Sequence, residues 1–165
     1  MSSRRLFVLA LALALAACGF RLRGSATVPF ETLYIPQSTS GIGVELKRNI
    51  EANTNTKVID DPRKAQALLA IARESRAKLI LSLTGTGRVR EYKLTYTVEF
   101  RVHDGKGGEF VPTNIIELQR EMTYLDTLIL AKEQEEQLLF RDMQNQMVQL
   151  MLRRIASAGP AKPPE

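Results

Sequence analysis

The sequence predicts an α+β domain, a two-layer sandwich in which two helices lie on one face of a mostly antiparallel four-stranded sheet. Three observations lead to this expectation. Residues 92–102 alternate apolar and polar side chains without interruption, which is typical of a strand with one wet face. Two segments, one near residue 42 and one near residue 126, repeat apolar residues at helical spacing. The segments between them are predicted to be consecutive strands joined by short turns.

The first 17 residues have the three parts of a secretory signal: the basic pair Arg4 and Arg5, the apolar run 6–15, and a small-residue cleavage site. The apolar run is too short to span a bilayer, which needs about 20 residues. Residues 15–18 (Leu-Ala-Ala-Cys) resemble the bacterial lipobox, which implies cleavage before Cys18 and lipid on its thiol. The alternative is ordinary cleavage that leaves a free cysteine. No aspartate follows Cys18, which in the sorting rule for such lipoproteins favours the outer membrane.

The charge balance gives little support for a polyanionic partner such as nucleic acid. Without Arg4 and Arg5 the chain has 21 basic and 18 acidic residues, a net charge of about +3, with both signs interleaved. A single cysteine excludes an internal disulfide. We therefore expect a lipidated cysteine and tether over 18–31 and one globular domain over 32–157.

The first half of that domain is expected to contain one strand and one helix. Residues 32–35 form a short apolar strand that Pro36 ends. Ser40 is a candidate N-cap for a helix of about three turns, because Ile42, Leu46 and Ile50 recur at spacing four. The sequence Asp-Asp-Pro at 60–62 then turns the chain.

The segment 63–83 admits two interpretations, helix or strand. Residues 64–72 are good helix formers by intrinsic propensity. Leu69 and Ile71, and later Leu79, Leu81 and Leu83, instead keep a period of two. Because the next strand needs a partner for a hairpin, we predict one long, interrupted strand over about 67–84.

The next two strands are expected to form a hairpin around the glycine-rich turn 104–108. In the first, the expected core face is Tyr92, Leu94, Tyr96, Val98, Phe100 and Val102, and the wet face is Lys93, Thr95, Thr97, Glu99 and Arg101. In the second, Ile116, Leu118, Met122 and Tyr124 share a face, and Pro112 is expected just before the strand.

The last helix is predicted from an N-cap at Asp126 to about Ser157, with acidic residues early and basic residues late, as the helix dipole favours. Its apolar stripe is rich in methionine, which is more often core than a binding groove. The stripe is Leu139, Met143, Met147, Leu150 and Met151. Residues 158–165, rich in proline, are expected to be a disordered tail.

The sequence offers few parts for catalysis or for a cofactor. Its single histidine, His103, adjoins a turn, and its single cysteine, Cys18, is assigned to lipid. The chain therefore has too few histidines and cysteines for a nucleophile–histidine pair or a metal cluster. We expect no enzyme activity, no metal and no cofactor. One cluster remains: Arg88, Arg90 and Lys132 either bind an anionic ligand or are ordinary solvated side chains.

Three segments resemble the LPS-assembly lipoproteins, the LptE family. They are Cys-Gly-Phe-Arg-Leu-Arg at 18–23, the pair Glu91-Tyr92 opening a strand that contains Thr97-Val98, and Leu-Ala-Lys-Glu at 130–133 followed by Glu135 and Glu136. Together they span most of the mature chain. Their order and predicted context also fit.

The resemblance implies an α/β sandwich that sits as a plug inside the outer-membrane β-barrel LptD and helps to insert lipopolysaccharide at the cell surface. Because Lys132 is the lysine of the Leu-Ala-Lys-Glu motif, the resemblance also implies that Lys132 binds lipopolysaccharide. A second basic position of the family falls on Gly85 here, so this chain departs from the pattern, and Arg88 or Arg90 is a candidate substitute. The alternative function is an unrelated periplasm-facing scaffold for another envelope complex. A hydrolase function is disfavoured because this chain lacks a nucleophile–histidine pair.

Overall fold

The computed structural model describes residues 28–36 and 41–162. The signal, Cys18, most of the tether, Ser40 and the last three residues of the tail lie outside this range. The elements are β1 (Thr32–Tyr34), α1 (Ile42–Asn53), β2 (Lys57–Ile59), β3 (Ala67–Leu83), β4 (Val89–His103), β5 (Glu109–Thr123), a 3₁₀ turn (Asp126–Leu128) and α2 (Ile129–Ala156).

The α+β class with two helices is confirmed, but the sheet is mixed and has five strands in the order β2-β1-β3-β4-β5. β1 runs parallel to both β2 and β3, whereas β3, β4 and β5 are antiparallel neighbours. The expected four-stranded, mostly antiparallel sheet was therefore wrong in this detail. The added strand, β2, has three residues, too few to show a period, and α1 makes the crossover that its parallel pairing with β1 requires.

Both helices pack against the same face of the sheet and close one core. Ile42, Leu46 and Ile50 of α1 are buried, which confirms the helical spacing. The methionine stripe of α2 is core, with Met143, Met147 and Met151 all buried. On β4, five of the six residues expected in the core are fully buried: Leu94, Tyr96, Val98, Phe100 and Val102.

The strand predicted over 67–84 is present as β3, and residues 62–64 form a turn, so no helix begins at residue 64. The apolar residues at alternate positions along β3 do not all lie on the same face of the sheet, however. A register shift between Ile71 and Arg73 moves later residues to the opposite face, so that Leu79 pairs with Lys93 of the wet face. Residues 72–81 of β3 are exposed.

The starts of both helices differ from expectation. Gly41 is the N-cap of α1, with a φ of 86°, and the backbone N–H of Ile42 donates to the Glu74 carboxylate at 3.3 Å. Asp126 does not cap α2: it opens the 3₁₀ turn, and α2 begins after Leu128. The Asp126 carboxylate lies 3.7 Å from the Arg88 guanidinium.

The start of the edge strand β5 departs from expectation in two ways. It begins at Glu109, so Pro112 lies inside the strand. An edge strand tolerates proline because one side of its backbone needs no donor. Lys162 of the expected tail exchanges two backbone hydrogen bonds with Glu109, at 2.7 and 2.9 Å, so the tail is attached to the sheet at this point.

The sheet has two unlike ends. At the closed end, residues 28–36, 41–71, 100–111 and 147–158, the sheet has five strands and both helices. The other end, residues 78–93 and 120–138, contains the β3–β4 hairpin loop and is called the hairpin end. It contains only β3, β4, β5, the 3₁₀ turn and the first turns of α2. β3 alone spans about 50 Å at about 3.3 Å per residue.

Candidate functional site

The β3–β4 loop, residues 84–88, is a compact turn organised by Thr84. The Thr84 backbone N–H donates to the Arg88 carbonyl at 2.7 Å, and the Gly87 N–H donates to the Thr84 carbonyl at 3.0 Å. Gly87 has a φ of 80°, a conformation that favours glycine. Gly85 is different, because a Cβ built there would meet nothing within 4 Å. A side chain at Gly85 would therefore begin in open space.

Arg88 and Arg90 present their guanidinium groups to solvent at this end. The Arg88 side chain is 73% exposed and lies 3.7 Å from the Asp126 carboxylate. The Arg90 side chain is 66% exposed and lies 4.0 Å from the Glu91 carboxylate. Exposed pairs of this kind contribute about 0 to 1 kcal/mol. Either guanidinium can therefore exchange its carboxylate for another anion at small cost.

Lys132 differs from the two arginines because its side chain is only 12% exposed. Its ammonium donates to the Glu135 carboxylate at 2.7 Å, one helical turn further along α2, and to the Thr123 hydroxyl at 3.3 Å. An anionic ligand at Lys132 has to displace Glu135. In this conformation Lys132 ties α2 to β5.

The structure brings the three predicted basic residues to the same end of the domain, joined through residues 123–126. The backbone N–H of Tyr124 donates to the Arg90 carbonyl at 2.8 Å, while Thr123 and Asp126 contact Lys132 and Arg88 respectively. The three cations surround one short connecting segment and do not converge on a single point.

Sequence reasoning missed the exposed apolar surface at this end. Ten large hydrophobic side chains in the described residues are exposed, and nine of them belong to the hairpin end. They are Leu79, Ile80, Leu81, Leu83, Leu125, Leu128, Ile129, Leu130 and Leu138. Apolar surface concentrated in this way marks a binding surface. The uncharged run at 79–83 was the available signal, but its period of two was used only to predict a strand.

A polar contact lies at the boundary between the two ends. The Tyr96 hydroxyl donates to the Glu74 carboxylate at 2.6 Å, and that carboxylate also accepts from the start of α1. Burial, followed by the hydrogen bond to Glu74 and its negative charge, raises the pKa of Tyr96 above its usual value. The contact therefore holds β3, β4 and α1 together.

The β4–β5 turn at the closed end is fixed by its own side chains. The Asp104 carboxylate accepts from the backbone N–H groups of Lys106 at 2.7 Å and Gly108 at 2.8 Å, and these bonds lower the pKa of Asp104. His103 accepts from the Gly105 N–H at 3.1 Å. Both side chains thus act within the turn.

Within residues 28–36 and 41–162, no three His, Cys, Asp or Glu side chains are grouped as a metal site requires. No helix in the same ranges is both long and apolar enough to cross a membrane.

Comparison with known proteins gives consistent matches. The family model LptE, "Lipopolysaccharide-assembly", matches residues 30–155. An LPS-assembly lipoprotein LptE of Yersinia enterocolitica is 31% identical over 160 residues, which cover 92% of this chain and 75% of that protein. The one from Pectobacterium atrosepticum is 27% identical over 160 residues, with 92% and 85% covered.

Two solved structures share the fold. Lipoprotein B of Nitrosomonas europaea superposes with a TM-score of 0.73 at 39% identity and covers 84% of this chain and 91% of that one. The rare lipoprotein B of Shewanella oneidensis gives a TM-score of 0.65 at 30% identity, with 76% and 92% covered.

Proposed function

This chain belongs to the lipopolysaccharide-assembly family LptE, and from this membership we propose that it is an outer-membrane lipoprotein that sits as a plug in the LptD β-barrel. There it helps to insert lipopolysaccharide at the cell surface. The observation that carries the proposal is the family match over residues 30–155, which runs from two residues before β1 almost to the end of α2. A role in lipopolysaccharide assembly follows from the family. The barrel partner and the insertion step are the finer proposal.

The anchor is Cys18. Lipid on its thiol and on its new amino group would hold the mature chain at the periplasmic side of the outer membrane, because several acyl chains together bind effectively permanently. The first described residue, Val28, packs against the core at the closed end, so the tether enters the domain there. The hairpin end then points away from the anchor.

The dimensions of the sheet suit a plug. β3 is about 50 Å long, whereas the hydrocarbon core of a bilayer is about 30 Å thick. A domain of this length that enters a barrel lengthwise extends from one membrane surface to the other. The sheet face away from the helices carries the half-buried Lys93 and Thr95, which suit the polar interior of a large barrel; Thr97, expected on the wet face, is buried.

For lipopolysaccharide we propose Arg88 and Arg90 as the first contacts, because their guanidinium groups are exposed and pair only weakly with carboxylates. Arginine also pairs with phosphate in a bidentate manner. Lys132 joins the site when its ammonium leaves Glu135. Plugging a barrel and holding an anionic lipid need binding alone, so we propose no catalytic step, no metal and no cofactor.

Affinity purification from detergent-solubilised outer membranes tests the function. The lipidated protein with a C-terminal tag should recover one large β-barrel that mass spectrometry identifies as LptD, together with lipopolysaccharide. As a control, Cys18→Ala should leave the precursor unacylated and deplete it from the membrane fraction. A lipidated protein that recovers no barrel would refute the plug, and an unmodified mature Cys18 would refute the anchor.

A further inference from the structure

Among residues 28–36 and 41–162, the edge of β3 that faces away from β4 has a partner only at its start. β1 pairs with it only at Ala67 and Leu68, and no other residue within 28–36 or 41–162 pairs with this edge. The edge from Leu69 to Leu83 therefore presents a row of backbone N–H and C=O groups that β4 does not use. β1 fills this position at the closed end, and no described strand fills it at the hairpin end.

The open edge has two unlike parts. Its middle carries the charged residues Arg73, Glu74, Arg76 and Lys78. Charged side chains are one of the usual devices that protect an edge from pairing. Residues 79–83 (Leu-Ile-Leu-Ser-Leu) carry no charge, and their four apolar side chains are 42% to 58% exposed. Only this last part combines an open backbone edge with an apolar surface. Register shifts against β4 occur in both parts, after Ile71 in the first and after Ile80 and Ser82 in the second, so charge is what distinguishes them.

The neighbouring strand and helix leave room on this side. The Lys78 ammonium lies 4.3 Å from the Tyr92 ring centroid and donates to Glu136 of α2, which marks the limit of helix cover on β3. Beyond Lys78, Ile80 is 58% exposed although it pairs with Tyr92 on the helix-covered face. Among the described strands, only β4 pairs with residues 79–83.

The open backbone edge and the exposed apolar side chains together determine which kind of molecule can bind at residues 79–83. Acyl chains would cover the four apolar side chains but leave the edge N–H and C=O groups without partners, and open sheet edges do not occur in hydrocarbon. Water satisfies the backbone but leaves the leucines exposed. An extended polypeptide supplies backbone hydrogen bonds and apolar side chains together, as in β-strand addition.

We propose that residues 79–83 are a β-addition site for an extended segment of the barrel partner that carries apolar side chains at alternate positions. The inference rests on the proposed function, because it takes the partner from there. A second copy of this chain is a poorer occupant, since a five-residue strand from each copy falls well short of the ~1,200 Å² that stable interfaces bury. A barrel that surrounds the domain supplies the rest of the contact.

Hydrogen exchange of the full lipidated protein tests the site in four samples: the free protein at two concentrations, the protein with lipopolysaccharide micelles, and the purified barrel complex. We expect those amides of residues 79–83 that do not donate to β4 to exchange rapidly in the free protein and with micelles, and at least about tenfold more slowly in the complex. Fast exchange in an intact complex would overturn the site. Slow exchange in the free protein would indicate cover by a second copy or by the chain itself, and slow exchange with micelles alone would indicate lipid; either result would also overturn it.

A matched pair of variants separates this inference from the function on which it rests. Leu81→Asp and Ile115→Asp each place a charge at an exposed apolar residue, 42% and 57% exposed, so both should fold with unchanged melting curves. Leu81→Asp should lower the amount of barrel recovered about tenfold, while Ile115→Asp recovers as much as wild type. Equal recovery by both variants refutes the site alone, whereas wild type that recovers no barrel refutes the function and the site together.

Discussion

The closed end and the hairpin end belong to the same sheet, but apolar side chains are buried at the first and exposed at the second. At the closed end, Leu33, Phe100 and Met151 have no exposed surface. At the hairpin end, Leu79, Leu125 and Leu130 are 56%, 57% and 76% exposed. A domain that needed these leucines for folding would have buried them. The comparison teaches that the closed end supplies the stability and the hairpin end is available for binding.

The cause of the difference is the length of the elements. β1, β2 and α1 have 3, 3 and 12 residues and all lie at the closed end, whereas β3 has 17 and continues past them, paired on its other side with β4. α2 packs on β4 and β5, so β3 loses its cover on one side where β1 and α1 end. The uncovered part of β3 is the part that carries the apolar run.

The largest expected effect comes from placing a charge at each end. Phe100→Asp puts a carboxylate into a fully buried site and should cost more than about 4 kcal/mol, enough to unfold a small domain. Leu130→Asp should change the free energy of unfolding by less than about 0.5 kcal/mol. Urea unfolding followed by circular dichroism measures both. Similar losses would show that the two ends do not differ.

The next effect lies at the boundary, where Glu74 joins the closed end to the long strand. Glu74→Ala removes the acceptor of the Tyr96 hydroxyl at 2.6 Å and of the Ile42 N–H at 3.3 Å. Because both donors are partly buried, the loss should be about 1–3 kcal/mol. Glu117→Ala, an exposed glutamate on the wet face, is the control and should stay within about 0.5 kcal/mol. If both variants melt alike, Glu74 does not hold α1 to β3.

A smaller effect should appear at alkaline pH. The pKa of Tyr96 is raised in the folded protein by burial and then by Glu74, so the unfolded chain loses this proton first, near pH 10. The stabilisation is complete below that pH and is lost as pH rises above it. Between about pH 8 and about pH 11, wild type should therefore lose more thermal stability than Tyr96→Phe. Parallel curves would contradict the shift.

Much of the closed end could be predicted because its signals are local. The spacing of Ile42, Leu46 and Ile50 identified α1, and the alternation along 92–102 identified β4 with its buried face. The three-residue β2 could not be predicted, since so short a segment shows no period and is recruited by pairing with β1.

The hairpin end could be predicted only in part. The sequence identified Arg88, Arg90 and Lys132 as a cluster, and all three lie at that end. The burial of Lys132 could not be foreseen, because it depends on a tertiary contact with Thr123 as well as on Glu135. The exposed face of β3 was hidden by the bulge after Ile71, which reverses the faces without any mark in the apolar pattern.

Binding of lipopolysaccharide by two matched triple variants tests the central claim most directly. One variant reverses Arg88, Arg90 and Lys132 to Glu at the hairpin end, and the other reverses Lys57, Arg63 and Lys64 at the closed end, with the same change in net charge. At low salt the hairpin-end variant should bind lipopolysaccharide about tenfold more weakly, or about 1.4 kcal/mol, and the difference should shrink as salt screens the charges. The closed-end variant should bind like wild type. Equal weakening of both variants would mean that net charge alone attracts the lipid, and unchanged binding by the hairpin-end variant would contradict the account.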